Sequence, residues 1–111
     1  MKRLKLTNFE ANTIQVGLDH IKDEFLFLSD LQYKFSHKIV IGLTSYINNK
    51  DSKEFKVNNF NIVLISMAVT EIYLMHTDIL HSEKNDTDDF KFSKEVLKTC
   101  ESIFNKLIKL N

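Results

Sequence analysis

The sequence predicts an all-α protein: a single domain, residues 1–111, folded as an antiparallel bundle of about four helices. Three observations lead there. The chain has no proline and only two glycines, Gly17 and Gly42, so it lacks the punctuation that multi-strand folds need for their turns. Its apolar residues recur at alternating spacings of three and four, the period of one helical face. Two segments also carry the reciprocal capping pattern that starts a helix.

The first of these is Thr7-Asn8-Phe9-Glu10, in which hydroxyl and carboxylate each satisfy the other's free backbone N–H. Ala11, Ile14, Leu18, Ile21, Phe25 and Leu28 then form one stripe, giving a first helix over about residues 8–29. The second pattern, Ser29-Asp30-Leu31-Gln32, precedes Phe35, Ile39, Leu43 and Tyr46, with Ile47 beside them. A second helix starts there or at Ser36 and ends near Asn48 and Asn49. The polar segment 50–59 reads as a loop, with Asn58 or Asn59 capping the next helix. A third helix, 60–80, has the highest apolar density, with Ile62, Ile65, Val69, Ile72 and Ile79 on one face, and is expected to be central. The charged tract 81–89 reads as a solvated loop. In a fourth helix, 90–110, Val96, Cys100, Ile103, Leu107 and Leu110 face the core, opposite Lys94, Lys98, Glu101, Asn105 and Lys109. The β-branched runs at 39–41 and 62–65 admit one alternative, a small α+β domain with strands near 38–47 and 60–66.

Composition narrows the function classes. Apolar residues make up 43% and charged residues 27%, the balance of a folded chain. Fifteen basic and fifteen acidic residues cancel, and only Lys2, Arg3 and Lys5 cluster. That opposes a duplex-DNA binder, whose affinity comes from a basic face displacing counterions. A nucleic-acid role would have to rest on those three with Lys34 and Lys38. Zero net charge also removes the repulsion that keeps copies apart. Cys100 is the single cysteine and no signal peptide is visible, which places the expected site of action in a reducing cytoplasm. The apolar stretch 62–75, broken by Ser66, Thr70 and Glu71, is shorter than the roughly 20 residues of a bilayer span, so no membrane insertion is expected. Usage rich in Lys, Asn and Ile, with one Arg, matches AT-rich coding sequence and suggests a bacterial, phage or mobile-element source.

No residue pattern predicts catalysis, and no cofactor or metal is expected. His20 and Glu24 stand one turn apart, as two metal ligands would, but the Glu-x-x-His pairs of di-metal bundles are missing. His76 and His81 project about 140° apart, poor geometry for one ion. His20 and His81 are expected on the surface and His76 as a hydrogen-bonded group at the core edge. Asp86, Asp88 and Asp89 resemble part of a calcium loop without its glycine and bidentate glutamate. Cys100 lies mid-stripe, as an inert packing group. A metal-binding bundle and a bacteriocin-immunity-like protein remain as alternatives, the second by size and composition alone.

The anomaly that bears on function is a second apolar face on two helices. Phe9, Val16 and Phe27 project almost opposite the first core stripe, and Val63, Met67 and Leu74 lie on the far side of the third helix among Thr70, Thr77 and His81. A bundle helix ordinarily buries one stripe and exposes the rest. These six residues therefore predict an interface, with another protein or with a second copy, for a small non-enzymatic regulator or inhibitor.

Overall fold

At Thr7 the capping pattern closes as its residue types require. The Glu10 N–H donates to Thr7 Oγ1 at 3.1 Å, and the Thr7 N–H donates to Glu10 Oε1 at 2.8 Å. In this computed structural model, residues 2–24, 30–48, 55–82 and 87–110 are described, with backbone alone for 22–24, 30–33, 35 and 36. The elements in order are β1 (Lys2–Leu4), α1 (Asn8–Glu24), α2 (Asp30–Asn48), β2 (Phe55–Val57), α3 (Asn59–Ser82) and α4 (Asp88–Lys109). The protein is thus an all-α bundle, with four helices and one small two-stranded ribbon among the described residues. The expected capping pattern at 29–32, and Phe25, Leu28 and Phe35 in the stripes, lie outside the described residues or side chains.

The stripes face inward. Ala11, Ile14, Leu18 and Ile21 of α1 are fully buried with Leu43 of α2, Ile65 and Val69 of α3, and Cys100 and Ile103 of α4. Helix α3 is central, packing against both α1 and α4, which also touch each other. For this reason its buried set, Ile62, Leu64, Ile65, Ala68, Val69 and Ile72, is wider than a single stripe, while Ile79 is only half-buried. Gly17 permits the closest approach: a Cβ there would sit 2.5 Å from the carbonyl oxygen of Ala68. Two small residues facing each other let α1 and α3 meet backbone to backbone.

Several expectations need correction. The 38–47 and 60–66 segments are helical, so the strand alternative fails there. Strands occur elsewhere: β1 in the basic N-terminal cluster, and β2 inside the expected 50–59 loop. They pair antiparallel with Lys2 opposite Val57, Arg3 opposite Lys56 and Leu4 opposite Phe55. Leu4 and Val57 point into the core while Arg3 and Lys56 face water, the two-residue alternation of a ribbon. Tyr46 of α2 anchors the chain just after β1, donating its hydroxyl to the Leu6 carbonyl at 2.8 Å and accepting the Leu6 N–H at 3.1 Å. The expected 81–89 loop is also shorter than its sequence implies. His81 and Ser82 finish α3, Thr87 caps α4 by accepting the Phe90 N–H, and Asp88 and Asp89 form the acidic first turn that complements the helix dipole.

Among the described residues, α3 is the one helix long and apolar enough to cross a membrane by length and composition. In this fold its buried side supplies the middle of the bundle, and Glu71 on its flank bonds His20 of α1.

Candidate interaction faces

The polar clusters resolve first, because each has a local structural partner. His20 Nε2 lies 3.3 Å from Glu71 Oε1, across the α1–α3 seam. Its expected companion Glu24 has no described side chain. His76 Nδ1 lies 2.8 Å from Ser93 Oγ, and its ring meets Phe92 edge-on at 5.9 Å. It is the hydrogen-bonded core-edge histidine its sequence setting suggests, and burial pulls its pKa below the usual value. Ser93 is itself buried, so this His–Ser pair offers no accessible nucleophile. Asp88 and Asp89 serve the start of α4, whereas Asp86 falls outside the described residues. Among the described residues no three His, Cys, Asp or Glu side chains converge on one point.

Burial pushes the Cys100 thiol up to about 11, with the neighbouring Glu101 charge adding to it. A thiol-reactive probe at neutral pH is therefore expected to label Cys100 only through opening of the bundle. Labelling of the folded protein at the rate of a free thiol would show the α4 core face to be accessible.

One polar cluster joins three segments. Glu10, buried beside the start of α1, accepts from Lys106 Nζ at 2.6 Å and from the Ser102 hydroxyl at 2.8 Å, in addition to the Thr7 N–H. Lys106 also donates to the Lys5 carbonyl at 2.8 Å. Burial alone would raise the Glu10 pKa; the bonds from Lys106, Thr7 and Ser102 outweigh it and hold the carboxyl below its ordinary value. This clamp ties the N-terminal segment to α4, and its groups are occupied by one another.

The apolar second faces remain. On α1, Val16 is 59% exposed and Phe9 is also exposed. They border an open groove of about 210 Å³ with Asn12 and Thr13, floored by Ile72 and Val96 and closed at one end by His76 and Phe92. Phe92, 53% exposed, is a face residue absent from the sequence expectation. Its signal was present: it precedes Val96 by four residues and so extends the α4 stripe past the point where the core ends.

On α3, Val63 and Leu74 are 57% and 54% exposed, and Met67 is half-buried between them. Val63 and Met67 border a second depression with Ile21, Ile62, Ser66, Thr70 and Glu71. The two depressions share no lining residue. Five of the six expected interface residues are thus placed on two separate faces, and the sixth, Phe27, lies outside the described residues. Compared with protein-family models, curated proteins and solved structures, the chain matches none.

Proposed function

We propose that this chain is a small non-enzymatic protein-interaction module, a regulator or inhibitor that works by docking apolar outer faces of α1 and α3 on protein partners. The observation that carries this reading is the groove where Phe9, Val16 and Phe92 crowd around Ile72 and Val96. Phe9, Val16 and Phe92 are each about half exposed, so each forgoes about 1 kcal/mol of burial, which an apolar helix of a partner laid in the groove recovers. Occlusion of that helix from its own target is the mechanism such docking allows. The buried lone thiol suits a reducing cytoplasm, and the source expected from composition is bacterial or a mobile element.

The test is capture from the native host by the wild type, Val16→Glu and Phe92→Glu, with helical content followed by circular dichroism. Both side chains are more than half exposed, so both variants are expected to fold. A protein retained by the wild type and lost by both variants supports groove docking; identical capture profiles for all three rule it out.

A further inference from the structure

The groove between α1, α3 and α4 ends on a group that can change its charge. His76 is half-buried there, with Nδ1 2.8 Å from the Ser93 hydroxyl and its ring edge-on to Phe92. The rest of the lining, contributed by all three helices, is apolar apart from Asn12 and Thr13, and none of it ionises. The charged residues that flank it in sequence stand outside it: Glu10 beside Phe9, Lys91 beside Phe92, Glu95 beside Val96, and Asp78 two positions past His76. Burial is the influence that displaces the titration of His76, and it does so downward.

We infer that His76 makes this groove proton-gated: an apolar helix docks while the ring is neutral and is released when the ring takes up a proton. This rests on the groove docking proposed above and adds its regulation. A neutral imidazole can lie under an apolar partner, because Ser93 satisfies Nδ1 from inside the bundle. An imidazolium donates from both nitrogens and carries a charge that no carboxylate in the groove offsets, so water must solvate it. A docked apolar helix expels that water. The sign follows: covering the ring lowers its pKa further, so the complex binds fewer protons than the free protein. Affinity is therefore lost as pH falls through the free protein's value, which lies below 6.5. One proton limits the loss to about tenfold per pH unit.

The probe for the test is N-phenyl-1-naphthylamine, an apolar fluorophore that stays uncharged throughout, titrated into the full chain between about pH 8 and about pH 5. Wild-type affinity is expected to fall by about threefold or more across that range at constant helical content. His76→Gln is expected to bind equally at both ends. His20→Gln is expected to keep the fall, since His20 lies on the α1–α3 seam with Glu71 and not in the groove. Ring-proton NMR of the wild type reads the same linkage without a variant: saturating probe is expected to move the His76 midpoint to lower pH. Groove binding that is weakened by Val16→Glu yet indifferent to pH overturns the gating and leaves the docking reading standing, as does a fall that survives in His76→Gln or an unmoved His76 midpoint. Absence of probe binding at pH 8, or binding that ignores Val16→Glu, overturns both.

Discussion

Gly17→Ala is expected to lower stability by about 3 kcal/mol, the upper part of the range for overpacking a filled core. The added methyl meets Ala68 of α3 at its carbonyl oxygen, 2.5 Å away, and at its carbonyl carbon, 2.8 Å away. Backbone has no rotamer through which to yield, so α1 and α3 must separate, and each buried contact along their seam loosens with them. The gain of roughly 1 kcal/mol that alanine ordinarily brings to a helix interior offsets only part of this. Gly42→Ala is the matched control. There the new methyl meets the Phe55 ring edge at 3.1 Å, a side chain that can tilt, and the change is expected to stay within about 1 kcal/mol of zero. Chemical denaturation of the two variants decides it; equal stabilities would show that Gly17 is not where the helices touch.

Lys106→Met is expected to cost about 2 kcal/mol at neutral pH. It strands the Glu10 carboxylate, whose side chain is 4% exposed, without its cation. The figure sits below that for a fully buried pair because the Lys106 side chain is 34% exposed and partly screened. The double change Glu10→Gln with Lys106→Met is expected to recover part of the loss, since no buried charge is then left uncompensated. The pH dependence has a definite sign. In the wild type Glu10 titrates below its ordinary 4.5, so its contribution is present above that pH and is lost as pH falls through the depressed value. In Lys106→Met the penalty belongs to the charged carboxylate, and the gap between variant and wild type narrows as acid protonates it. A gap constant from neutral to strongly acidic pH would remove Glu10 from the account.

The four helices were legible because each depends on neighbours three or four residues away, and both the capping residues and the apolar stripes lie within that range. Thr7 with Glu10, and the run Val96, Cys100, Ile103 and Leu107, required nothing from the rest of the chain. The ribbon was not legible. Two strands of three residues are too short to show a period, and the pairing of Leu4 with Phe55 joins segments half the chain apart. The same limit explains Glu10: its bond to Thr7 could be read locally, whereas Ser102 and Lys106 reach it only because α4 folds back beside α1.

For the interaction faces the division is similar. Periodicity alone showed that Phe9 and Val16 on the first helix, and Val63, Met67 and Leu74 on the third, stand off their core stripes. Whether an off-stripe side chain is covered depends on which helices flank it, and no local pattern contains that. Tertiary packing decided that α3, packed against both α1 and α4, buries more than one stripe yet keeps an exposed outer face. It also decided that Phe92 joins Phe9 and Val16 at a groove apart from that face. Short-range spacing determined what each helix presents, and the order in which the helices pack determined what stays exposed, because burial depends on neighbours drawn from anywhere in the chain.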